Sequence, residues 1–219
     1  MESEKMNSYL ILLLLILTAA LPVIILYIWI RAERFPIGLP WFLASLAAGI
    51  ISLVIAAFSQ SFFPAPAAAA SLGALFFAVF IRIALVEELS RLFTLFPLLK
   101  TCSMGRDLNL SAAMGLAAGL GFAAAENAFY GMADINVVLL RIFTAAPLHG
   151  ACGIRAGAAV FKFPRQPVKA VYLFISAIVI HGAYNLIILS PAIPSVLAIP
   201  TALLALLVSL PQLKASDDE

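Results

Sequence analysis

Charge is what this sequence has least of: Asp, Glu, Lys and Arg make up 11% of its 219 residues, against about 25% in an ordinary soluble domain. So little cannot build a water-facing surface around a core. No sign of charge dominates either. The net charge of +2 is dispersed, which argues against a nucleic-acid face, and no run reaches the roughly four to eight basic residues of a lipid-headgroup patch. Cysteine is limited to Cys102 and Cys152, without metal-type spacing or the pattern of a secretory disulfide framework, so both read as ordinary thiols. Two familiar motifs are absent as well. There is no HExxH, the common linear zinc signature, and no GxSxG nucleophile elbow, and Ser90, Ser103 and Ser111 have no histidine near them in sequence.

Apolar runs are what the chain does have, with 64% of its residues hydrophobic. Stretches of about 20 apolar residues cross the hydrocarbon layer as helices, which satisfy their own backbone polar groups. The expected fold is therefore an all-α polytopic transmembrane bundle, one domain over residues 1–219 with no internal repeat. Crossings are expected at 6–30, 39–59, 72–99, 110–130, 137–160, 168–189 and 196–210. The first run exceeds the apolar core of a cleavable signal, roughly 7–15 residues, and reads as a retained span. The segment 61–100 has no obvious loop and could cross once or twice, giving seven spans or eight. Basic residues arbitrate. With one crossing, Arg31, Arg34, Lys100, Arg106, Lys162, Arg165, Lys169 and Lys214 share one side, while the loops 60–65, 131–136 and 190–194 carry no Lys or Arg. That favours seven spans in a prokaryotic cytoplasmic membrane, the N-terminus outside and the C-terminus cytoplasmic.

An ionisable group at mid-membrane costs about 2.5–3.5 kcal/mol on insertion scales and so marks function. In VEELSRLFT, Glu87, Glu88, Arg91 and Thr94 lie together, with Arg91 between the two acids on one helical face and Arg82 roughly opposite. One glutamate neutralises one arginine. The second is surplus and needs a proton, a partner or a metal. In GLGFAAAENAFY, Glu126 and Asn127 follow Gly115 and Gly119 along one small-residue stripe, which is expected to face a neighbouring helix. RIFTAAPLHGACGIRAG carries Arg141, a Pro147 able to kink the helix, His149, and a second small stripe at Gly153 and Gly157. In HGAYN, His181 and Asn185 are four apart and share a face. His149 and His181 are the only two histidines, and with the favoured topology they lie at depths compatible with the three glutamates.

Carboxylate and imidazole in a partly hydrated pocket can activate water, with a histidine or asparagine stabilising an oxyanion. The same groups can instead hold Zn²⁺ or another divalent metal, with His149, His181 and Glu126 as candidate ligands. The residues alone leave both routes open. They also admit a proton- or cation-coupled transporter, or a non-catalytic immunity or scaffold protein.

EELSR at 87–91, FAAAEN at 122–127, HGACG from His149 and HGAYN at 181–185, in that order, resemble the PrsW family of intramembrane proteases. More remotely they resemble the CAAX prenyl endopeptidases and bacteriocin-processing membrane proteins. The resemblance spans about residues 80–190. It implies an endopeptidase acting on a membrane protein or peptide within the lipid bilayer, in the best-known case a single-span anti-sigma factor. It also implies Glu87, Glu88, Glu126, His149 and His181 as catalytic residues, supported by Arg91, Asn127, Arg141 and Asn185. Two departures stand out. Arg91 occupies a position where lysine is expected, and Glu126 stands where the prenyl endopeptidases place histidine, which speaks against a prenylated substrate.

Overall fold

The computed structural model describes residues 20–33, 35, 37–63, 71–102, 107–131 and 135–214. These residues form helices and turns, with no strand among them. In chain order the helices are α1 (Ala20–Ala32), α2 (Leu39–Gln60), α3 (Leu72–Phe77), a π-helical stretch Ala78–Leu85, α4 (Val86–Thr101), α5 (Leu108–Gly131), α6 (Ile135–Phe143), α7 (Ala145–Lys162), α8 (Pro167–Leu189) and α9 (Ala198–Ser209). Single 3₁₀ turns flank α9 at Ser195–Leu197 and Leu210–Leu213.

Local chemistry sets several of these ends. Pro40 in the first turn of α2 and Pro167 at the start of α8 stand where a helix has no use for the missing N–H. Ser71 caps α3 by accepting a hydrogen bond from the Ala74 amide at 3.3 Å. The kink expected at Pro147 falls slightly earlier. A 41° bend separates Val137–Phe143 from Ala145–Lys162 at Thr144, because a proline ring clashes with the carbonyl four residues before it, here Phe143.

Leu39–Gln60, Leu108–Tyr130, Pro167–Leu189 and Ser195–Leu213 are each long and apolar enough to span a membrane, and the bent α6–α7 pair makes a fifth if counted as one crossing. The expected count of seven is not reached. Most of 6–30 lies outside the described residues, of which Ala20–Ala32 is a short apolar helix. The 72–99 stretch is helical throughout, but Arg82, Glu87, Glu88 and Arg91 give it more charge than a candidate span carries.

α5 and α7 form the buried axis of the bundle. Their two glycine stripes face each other at backbone contact: a Cβ on Gly115 would sit 2.1 Å from the Gly153 carbonyl oxygen, and one on Gly119 would sit 2.1 Å from that of His149. On its other side α5 meets α2 in the same manner, where a Cβ on Gly49 would sit 1.9 Å from the Ala118 oxygen. In lipid, where apolar burial does not drive helices together, such close backbone approach maximises dispersion contact. It also seats the His149 backbone two turns below Glu126 on the adjacent helix.

Candidate active site

The five expected site residues converge, although they come from four helices. Glu87 and Glu88 begin α4, Glu126 lies near the end of α5, His149 one turn into α7, and His181 toward the C-terminal end of α8. The rings of His149 and His181 meet edge to face, 5.0 Å between centroids.

The two adjacent acids face different partners. Glu88 is fully buried and forms an ion pair with Arg91 one turn on, while its Oε1 lies 2.8 Å from Nδ1 of His181. Glu87 turns to the other side. Its Oε1 accepts a hydrogen bond of 3.1 Å from Gln60 at the end of α2, and its Oε2 stands 3.5 Å from Nε2 of His181. That Oε2 is buried and makes no hydrogen bond among the described residues.

Around His149 a second set assembles. Nε2 lies 2.9 Å from Oε2 of Glu126, and Nδ1 lies 3.2 Å from a terminal nitrogen of Arg91. Glu126 is also ion-paired with Arg141, whose Nε donates to Asn127 Oδ1 at 2.7 Å and whose guanidinium lies over the Tyr130 ring at 4.2 Å. Phe122, one turn before Glu126, is buried beneath both sets. Its ring lies 4.7 Å from that of His149 and 4.9 Å from the Arg91 guanidinium, a cation–π seat for a charge that has no water around it. The F-x-x-x-E spacing thus puts an apolar floor and an acid on one face.

A cavity of about 260 Å³ opens on these groups. Its polar wall includes Gln60, Glu87, Glu126, His149, His181 and Asn185, and Arg141, Tyr130 and Tyr184 complete it. Its apolar lining comes from Leu53, Ala56, Ala57, Ile83, Phe129, Ile188 and Leu189. Glu88 and Arg91 do not line it. Asn185 Nδ2, like Glu87 Oε2, is buried without a partner among the described residues. The cavity lies at the C-terminal turns of α2, α5 and α8, the face whose loops carry no Lys or Arg.

Among the described residues, two groups have ligand atoms within 4.8 Å of one another: Glu87, His149 and His181, and Glu88, Cys152 and His181. The first lines the cavity and contains an oxygen without a partner, so it suits a cation better. In the second, Glu88 already receives Arg91 and His181, and Cys152 Sγ is directed to the Ala177 carbonyl. Glu87 is the carboxylate whose ligand atom lies within 4.8 Å of those of both histidines, and Glu126 bonds Arg141 and His149. Sequence reasoning did not single out Gln60, Tyr130 or Tyr184. Gln60 had a signal, being an amide at the end of an otherwise apolar span.

The fold and site define a polytopic helical membrane protein that encloses carboxylates and imidazoles around a cavity within its bundle. The chain belongs to the PrsW family of intramembrane metalloproteases: the family model matches residues 38–211, which contain every side chain of the site. Neither the curated proteins nor the solved structures contain a match.

Proposed function

We propose that this protein hydrolyses a peptide bond in a membrane-associated polypeptide, with Glu87 as the base that activates water. The observation that carries this reading is the pair of unpartnered polar atoms in the cavity, Glu87 Oε2 and Asn185 Nδ2, an acceptor and a donor flanking His181. Amide hydrolysis needs both. Glu87 takes a proton from water as its oxygen attacks the carbonyl, Asn185 donates to the developing oxyanion, and the proton returns from Glu87 to the leaving amine. Glu88 and Arg91 hold His181 and His149, and Arg141 with Asn127 holds Glu126.

The residues fit the divalent cation that the family name implies, since Glu87 Oε2 lacks a partner and Glu87, His149 and His181 offer the nitrogen and oxygen donors zinc accepts. When bound, such a cation supplies Lewis acidity to the carbonyl and makes nearby water more acidic. The apolar wall of Leu53, Ala56, Ala57 and Ile83 suits an apolar side chain beside the scissile bond. With the N-terminus outside, the cavity mouth faces the outer side, and a single-span substrate would be cut near that interface.

The test incubates purified protein in liposomes with single-span peptides, comparing wild type with Glu87→Gln, with and without chelator. The reading expects cleavage by wild type and its loss in the variant. Loss on chelation with recovery on adding zinc would assign the metal route. Unaltered cleavage by Glu87→Gln would overturn the assignment, and ion flux without cleavage would make the protein a transporter.

A further inference from the structure

Arg155, on α7, is only 8% exposed and lies apart from the cavity, whose lining does not include it. Its Nε donates to Ser209 Oγ at 2.9 Å, at the end of α9, and one terminal nitrogen donates to Ser176 Oγ at 2.7 Å, on α8. Both hydroxyl protons are already committed, Ser176 to the Leu173 carbonyl and Ser209 to that of Ala205, so each serine can only accept from the guanidinium. No carboxylate pairs with Arg155 among the described residues. A guanidinium keeps its charge in a protein and carries five N–H donors. Two are used here. The other terminal nitrogen bonds nothing among the described residues, and unlike Glu87 Oε2 or Asn185 Nδ2 it is not sealed in. Two neutral hydroxyls thus aim a full positive charge and leave it without a counter-charge, in a setting where an ionisable group marks function.

The helices open toward this group. On the side of the cavity α8 and α9 share one apolar cluster with α7, through Tyr184, Ala198 and Ala202. Toward the other end they part: Ala170 and Leu173 of α8 join Phe161, whereas Leu210 and Leu213 beyond α9 join the cluster of Leu110. Arg155 bridges the fork. That end carries Lys162, Arg165, Lys169 and Lys214, and the exposed Tyr172 lies one turn from Ser176 toward it, the headgroup-level placement common for tyrosine. We propose that Arg155 binds a phosphate group entering between α8 and α9 from the basic side of the bilayer, with Ser176 and Ser209 orienting its guanidinium. The planar fork offers paired N–H donors to two phosphate oxygens, and basic pockets between membrane helices hold lipid headgroups without any basic run along the chain. A lipid headgroup and free phosphate present the same chemistry, the first from within the leaflet and the second from water.

The experiment titrates the full-length protein in neutral detergent with phosphatidylglycerol, with diacylglycerol as the lipid lacking phosphate, and with inorganic phosphate. Bound mass is read by native mass spectrometry, alongside the melting temperature. Wild type should retain phosphatidylglycerol and not diacylglycerol. Arg155→Gln should weaken that retention roughly 10- to 100-fold, Arg155→Lys by less, and Arg165→Gln, at an exposed cation outside the fork, hardly at all. Ser176→Asp supplies the missing carboxylate, so it should fold at least as well as wild type and lose the phosphate; it decides the matter if Arg155→Gln does not fold. A melting temperature raised by inorganic phosphate alone, and not in Ser176→Asp, names free phosphate as the occupant; a rise with phosphatidylglycerol only names the lipid. Equal retention of diacylglycerol, undiminished binding by Arg155→Gln or Ser176→Asp, or no binding of either phosphate probe overturns the proposal. Every readout is of binding, so the outcome stands apart from whether the protein hydrolyses peptides.

Discussion

Oε2 of Glu87 faces Nε2 of His181 at 3.5 Å, while the adjacent Glu88 takes Nδ1 of the same ring at 2.8 Å. One imidazole thus lies between two neighbouring acids, and the acids differ in everything else. Glu87 borders the cavity, and Glu88 is sealed against Arg91. Their glutamine variants should therefore fail differently. Glu87→Gln should lower cleavage by roughly 10²–10⁴-fold with an unchanged melting temperature in detergent. Glu88→Gln leaves a buried guanidinium without its counter-charge, a loss of about 3–5 kcal/mol, so its melting temperature should drop along with activity.

Asn185 Nδ2 is the buried donor on the cavity wall with no partner among the described residues. Replacing it with alanine should lower kcat by roughly 10²-fold, the usual cost of one oxyanion donor, and leave KM within a few-fold. A rise in KM at constant kcat would instead make Asn185 a substrate-binding residue.

Gln60 reaches Glu87 Oε1 from the last turn of α2. A hydrogen bond to a charged group contributes about 1.5–3 kcal/mol, so Gln60→Leu should slow turnover by roughly 10- to 100-fold without unfolding the bundle. Steady-state cleavage with a circular dichroism melt separates the two effects.

Gly119 and Gly73 make a matched pair. A Cβ at Gly119 meets the His149 carbonyl at 2.1 Å, but one at Gly73 finds only Ser71 Oγ at 4.0 Å. Gly119→Ala must push α5 from α7 and carry Glu126 away from His149, costing about 1–3 kcal/mol and activity with it. Gly73→Ala lies in open surroundings and should shift stability by less than about 1 kcal/mol.

The helices were legible because their signals are local. Apolar runs reported the elements, and the ranges 39–59, 110–130 and 168–189 nearly coincide with Leu39–Gln60, Leu108–Gly131 and Pro167–Leu189. The glycine stripes announced helix contact, since a four-residue spacing encodes a face. The cost of burying charge in lipid singled out Glu87, Glu88, Glu126, His149 and His181. What escaped was pairing across helices: that Gln60 would meet Glu87, that Arg91 would reach His149, and that Arg141 would hold Glu126. Nothing in spacing along one chain encodes the angle at which two helices cross. The π-helical turn before Glu87 was equally invisible, because nothing in AVFIRIAL distinguishes it from an α-helical stretch.

By itself, the sequence determined that this is a helical membrane chain with acids and imidazoles buried in its spans, because hydropathy and the price of intramembrane charge are properties of composition and order. Only the tertiary structure decided which acid faces the cavity and which stays behind it. The two glutamates are adjacent in sequence, and a step of about 100° around one helix separates Glu87, beside Gln60 and the cavity, from Glu88, locked between Arg91 and His181.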